Sequence, residues 1–347
     1  MPTSCAPDSR PVAREPTDGI GRPTVTSTTD FGAFVVDVAV IAGVPAFALG
    51  DGTVRLGRGG TFDTLSVHKG AILRAVATLD EAALLTGGDD GLLARVSADG
   101  DVKVVADHPK KWVTEIAAGP SGVLAYAIGR DVIVRAGPGR ERVFSLQKSA
   151  GGLAFAPKGQ RVAIARYNGV TLYFAATDAP GLELNWKGAH IGVTFSPDGR
   201  YLVTAMQENA LHGWRLEDGL NLRMTGYPAK PRSFSWSPKG RFLATSGSDA
   251  AVLWPFHFKD GPQGKSPHQV GRRASFVTRV ACHPRKDAIA IGYQDGAVAV
   301  APTEGKSASV IESPGGSPVS ALAWDILTDT IVFGTESGRA GILSAPI

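Results

Sequence analysis

Seven histidines, two cysteines and a recurring set of basic side chains are the groups in this 347-residue chain whose chemistry could reach beyond folding. Imidazoles ligate metals and move protons near neutral pH, and thiolates ligate metals or act as nucleophiles. Such work needs fixed spacing or convergence. His68, His108, His190, His212, His257, His268 and His283 follow no HExxH pattern, and Cys5 and Cys282 form no CxxC. Cys282 stands beside His283 without a third ligand nearby, so a small buried residue is expected there. No GxSxG, GxxxxGK[ST] or kinase-type glycine loop occurs. No catalytic residue, cofactor or metal ligand is therefore expected.

The most regular chemistry is electrostatic. Lys69, then Lys110 and Lys111 with Trp112, then Lys148, Lys187, Lys230 with Arg232, and Arg272 with Arg273 return at intervals of about forty residues. A repeat must position them. Its clearest copies are GLAFAPKGQRVAIARYNGVTLYF (152–174), IGVTFSPDGRYLVTAMQENALHGWRL (191–216) and RSFSWSPKGRFLATSGSDAAVLWPF (232–256). More worn copies cover 35–58, 72–96, 113–136, 277–301 and 319–344. Each holds three short apolar runs separated by tight turns, with the second turn at Asp51, Asp90, Asp131, Asn168, Glu208, Asp249, Asp295 or Ser337. The runs are rich in Val, Ile, Thr and Tyr and broken by Gly or Pro, which reads as antiparallel sheet rather than a helical solenoid.

The stretches FSPDGRYL and WSPKGRFLATSGSD, with Trp214 and Trp254 closing their units, resemble the WD40 family over residues 24 to the end. The resemblance implies an all-β, WD40-type β-propeller. Eight repeats imply eight four-stranded blades, with seven as the alternative count. It also implies a network of histidine, Ser/Thr, Asp and Trp within a blade, which the fifth repeat approaches with His190, Thr204, Glu208 and Trp214. The last repeat ends one strand short, and TVTSTT (24–29) is β-prone and unassigned. That segment is expected to supply the missing outer strand and to close the ring, removing an exposed edge.

The chain is 43% hydrophobic and 20% charged, with 43 glycines and 23 prolines, as befits many turns around a large core. Residues 1–22 lack the apolar run of a secretory signal, and no stretch is long and apolar enough for a membrane span. A disordered tail over 1–22 and one propeller domain over 23–347 are expected, in a cytoplasmic protein. Two distant cysteines suit that reducing compartment.

In a propeller, the loop from the outer strand of one blade to the inner strand of the next lies on one face. The basic residues occupy those loops, so the ring gathers them on that face. The formal net charge is only +4, and carboxylates at the second turns share the face, which would repel phosphate. The expectation is a monomeric, non-enzymatic scaffold that docks proteins with acidic segments, not nucleic acid or membrane, with Trp112 as anchor. Two alternatives stand beside it. A propeller enzyme of the lyase, lactonase or quinoprotein type would need inward His, Asp or Glu at equivalent positions near the axis, which the repeats do not display. A metal or small-molecule sensor would use the channel, with His68, His108 and His190 as its support.

Overall fold

The structure, a computed structural model, describes residues 25–347 except 138 and 306; the expected tail over 1–22 and Cys5 lie outside the described residues. Turn chemistry sets the local architecture. In SPDG the Ser196 hydroxyl accepts the Tyr201 amide at 2.9 Å and donates to Asp198 at 2.6 Å, closing the turn between first and second strands. Ser237 does the same for the Phe242 amide at 2.9 Å in the sixth repeat. At the second turns, Asp51, Asp90 and Asp295 each accept the amide two residues on, as short acidic side chains do in Asx-turns.

The second strand of a repeat reads as a continuous apolar run because both its faces are covered by neighbouring sheets. Ala83–Gly88, Tyr201–Met206 and Ala288–Tyr293 are buried at every position. Outer strands such as Thr61–Ser66 are exposed or half-buried throughout. The core therefore lies between adjacent sheets. Phe242, Val270, Ile291 and Tyr293 make one such layer between repeats six and seven.

Among the described residues the strands form seven hydrogen-bonded sheets, six of four strands and one of six. All eight repeats expected from the sequence are present, and the sheets number seven because repeats four and five, expected as separate blades, are joined into the six-stranded one. The six-stranded sheet carries repeats four and five. Its strand Arg161–Phe174 folds back on itself at Asn168 and Gly169, whose φ values of 64° and 140° make the tight turn. The Ala175 amide closes the base of that hairpin on the Gln160 carbonyl at 2.7 Å. The next strand, Leu182–Phe195, pairs with residues 167–172 through its first half and with 202–206 through its second. Across the junction WKGAH (186–190) the chain stays in strand from rim to axis.

Closure follows the expected plan. Strand Val25–Asp30 pairs antiparallel with Arg339–Ser344, opposing Thr28 to Gly341 and Asp30 to Arg339. The N-terminal segment thereby becomes the outer strand of the last sheet.

Candidate interaction face and central channel

The loops between repeats and the second turns meet on one face, and this contact places the basic residues. Lys69, Lys110, Lys111, Lys148, Lys187, Arg232 and Arg272 are exposed, while Lys230 and Arg273 are half-buried. Several are already engaged. Lys111 lies 3.8 Å from Asp131, Arg272 pairs with Asp249, and Arg273 pairs with Asp295 at 3.0 Å. Lys148 sits over the Tyr167 ring at 4.3 Å. Lys69, Lys110, Lys187 and Lys230 make no side-chain hydrogen bond or ion pair among the described residues. Arg232 turns toward the axis and lines the channel.

Trp112 is 61% exposed and borders a groove of about 630 Å³ with Lys110, Lys111, Arg130 and Asp131. It is one of a set that the sequence reading missed. Phe34, Trp112 and Phe276 each precede a buried valine that opens an inner strand, and all three are at least 40% exposed. Val35 and Val113 point inward, onto Gly334 and Gly87 of the neighbouring repeats. Strand alternation then turns the preceding aromatic ring out to solvent. Repeats seven, one and three carry these rings, so they fall on one arc of the channel mouth.

The histidines do not converge. His68 spends Nδ1 on Asp90 at 3.0 Å and Nε2 on Thr86 at 2.9 Å. His108 bonds Tyr126 at 3.0 Å, and His190 bonds Thr204 at 2.8 Å and the Trp186 carbonyl at 3.0 Å. Each ring serves its own part of the ring wall. The fifth-repeat network forms in part: Thr204 donates onward to the His212 carbonyl at 3.0 Å, and Trp214 is buried. Glu208 instead accepts the Ala189 amide at 3.2 Å. Among the described residues no three His, Cys, Asp or Glu side chains are grouped to hold a metal ion. Cys282 is buried, and desolvation pushes its thiol up to about 12.

The axis corrects one expectation. Charged residues do stand at equivalent positions near it: Asp37, Arg74, Glu115 and Arg279 are each the third residue of an inner strand. Gly192, Ser233 and Ala321 stand at the same level, and all seven residues line a central cavity of about 420 Å³. The register slips between the first and third residues of each charged strand, at Val35/Asp37, Ile72/Arg74, Val113/Glu115 and Val277/Arg279. Such bulges re-aim a side chain. Hydroxyls knit the wall: Ser320 donates to the Val35 carbonyl at 2.6 Å and Thr278 to the Val319 carbonyl at 2.8 Å. Arg74 approaches Glu115 at 3.7 Å. Desolvation raises the Asp37 and Glu115 carboxyls above the ordinary range, against the pull of Arg74 on both.

No protein-family model matches the chain. Solved structures do share its fold. The C-terminal WD40 domain of Sif2 superposes with a TM-score of 0.74 at 13% identity, covering 94% of this chain and 99% of that one. The computationally designed Ika8 protein gives 0.73 at 15% identity, covering 91% and 98%. A chain of the mitotic checkpoint complex gives 0.62 at 13% identity, covering 99% of each. At such identities the likeness speaks for the fold alone.

Proposed function

We propose, from the premise that this chain has the WD40-type β-propeller fold, that it is a non-enzymatic scaffold docking acidic segments of partner proteins on the face around Trp112. The observation that carries the reading is the arc of exposed rings, Phe34, Trp112 and Phe276, at one repeat position on the channel mouth. Exposed aromatics amid cations are the make-up of an interaction centre with a polar rim. Lys110, Lys111 and Arg130 give the groove beside Trp112 its positive charge, and Asp131 opposes it. That mixture favours acidic protein over nucleic acid.

No helix among the described residues is long and apolar enough to cross a membrane. The proposed setting is the cytoplasm, with the protein acting as a monomeric ring. The test is affinity capture from the native host, followed by mass spectrometry, with parent and variants run in parallel. Trp112→Ala and Lys110→Glu with Lys111→Glu should each deplete the same partners. A partner set unchanged in both, but lost in Lys158→Glu with Lys239→Glu on the opposite face, would overturn the proposal.

A further inference from the structure

We infer that the axial cavity is a binding site for a small zwitterion carrying two carboxylates, the chemical class of the acidic amino acids. The volume of about 420 Å³ falls within the range of small-ligand sites, roughly 300–1,000 Å³. The charges around it are incompletely matched. Glu115 has Arg74 as its partner at 3.7 Å. Asp37 and Arg279 stand on either side of Ala321, the buried residue at the same position of the repeat between theirs. Among the described residues the Asp37 carboxylate accepts only the Val38 amide, at 2.9 Å. Among them the Arg279 guanidinium donates only to the Thr278 carbonyl, at 3.0 Å. No ion pair within 4.0 Å joins the two.

Charges withdrawn from bulk water lose free energy unless a partner replaces their hydration. Burial accordingly raises the Asp37 carboxyl and lowers the Arg279 guanidinium, each disfavouring its charged form. A ligand ammonium beside Asp37 and a carboxylate beside Arg279 would complete both. Arg232 decides the rest of the ligand. It lines the same cavity, makes no hydrogen bond or ion pair among the described residues, and bears on Arg279 as a like charge. Two guanidinia facing one space repel unless an anion lies between them. Three guanidinia and two carboxylates line the cavity, with the exposed Glu336 drawing on Arg279 from outside the lining, so it is the facing Arg232 and Arg279, not a net charge count, that places the second carboxylate of the ligand.

The test is calorimetric titration and thermal shift of the full chain with L-glutamate and with succinate, which lacks the ammonium, at constant ionic strength. L-glutamate should bind saturably at one site and raise Tm, with succinate at least about tenfold weaker. Asp37→Asn should erase that preference, and Arg279→Gln should weaken both ligands more than about tenfold. Lys110→Glu with Lys111→Glu should bind L-glutamate as the parent does, which separates the channel from the outer face. Absence of saturable binding, equal binding of the two probes, or loss of binding in the outer-face variant would overturn the inference. Should the channel variants fail to fold, the discrimination shown by the parent decides.

Discussion

Trp186 lies flat on His212, with ring centroids 3.8 Å apart and planes 13° from parallel. The outer strand of repeat four thus roofs a histidine of repeat five, and Trp214 meets the same ring edge-on at 4.6 Å. His212 Nε2 bonds the Asn221 side-chain oxygen at 3.0 Å, while Nδ1 is buried without a partner among the described residues. Protonating Nδ1 would create a charge with no acceptor.

Stability should therefore fall on mild acidification. Desolvation, opposed by the Asn221 hydrogen bond and aided by repulsion from His190 and Arg223, lowers His212 to about 4. Burial lowers His190 in the same direction. An unfolded histidine takes up its proton near pH 6.5, so the unfolded chain binds protons first. The contribution is fully present above pH 6.5 and is lost as pH falls toward 4. It amounts to at most roughly 3 kcal/mol for His212. Denaturant unfolding at several pH values should show a smaller acid loss in His212→Gln than in the parent. Equal losses would assign the sensitivity to other groups.

Repeat six replaces the histidine of its network with a tyrosine. Trp254 Nε1 donates to the Tyr227 hydroxyl at 2.7 Å, Tyr227 donates to Thr245 at 2.6 Å, and Thr245 donates to the Val252 carbonyl at 3.1 Å. Tyr227→Phe keeps the ring but orphans the indole, and should lower stability by about 1–3 kcal/mol. Trp214→Ala removes a buried aromatic side chain and should lower it by about 3–5 kcal/mol. A Tyr227→Phe loss below about 0.5 kcal/mol would mean that packing, not the hydrogen-bond chain, is what Tyr227 supplies.

Removing the clasp should open the ring. A chain lacking residues 1–30 leaves the strand Arg339–Ser344 as an unpaired edge. Its Tm should drop by more than about 5 °C, and the free edge should promote self-association. A synthetic peptide covering residues 22–31 should recover most of the loss by adding back the strand. A truncated protein with parental Tm and no response to peptide would show that closure contributes little.

The repeat was legible because turn residues and apolar runs recur in register, as SPDG and SPKG do, and because TVTSTT stood ahead of a last repeat that lacked a strand. The junction WKGAH, which fuses two repeats into one sheet, carries no such mark: an extended linker and a looped one differ there by backbone path alone. The channel charges were hidden for a different reason. Asp37, Arg74, Glu115 and Arg279 occupy one position with opposite charges, so alignment for likeness reads them as variation. The bulge that aims them at the axis has no residue signature. The aromatic arc could have been found, since Phe34, Trp112 and Phe276 each directly precede an inner-strand valine.

The basic face divides by pairing, and that division yields the last prediction. Arg272 and Arg273 are tied to Asp249 and Asp295, so reversing their charge sets like charges together on the face. Lys110 has no partner among the described residues, and Lys111 only a distant one at 3.8 Å with both side chains solvated. Exposed pairs of that kind contribute about 0–1 kcal/mol, so Lys110→Glu with Lys111→Glu should leave Tm within about 2 °C of the parent. The same double variant removes attraction for an acidic partner, slowing association and flattening its dependence on salt. Trp112→Ala should act differently, leaving association nearly unchanged and speeding dissociation, as loss of an apolar anchor does. Arg272→Glu with Arg273→Glu should lower Tm more than the lysine pair while weakening capture less. Surface-resonance kinetics with a captured acidic partner, run at two salt concentrations, separate these outcomes. If the arginine variant abolishes capture while the lysine and Trp112 variants retain it, the docking centre belongs to repeat seven and not to the groove beside Trp112.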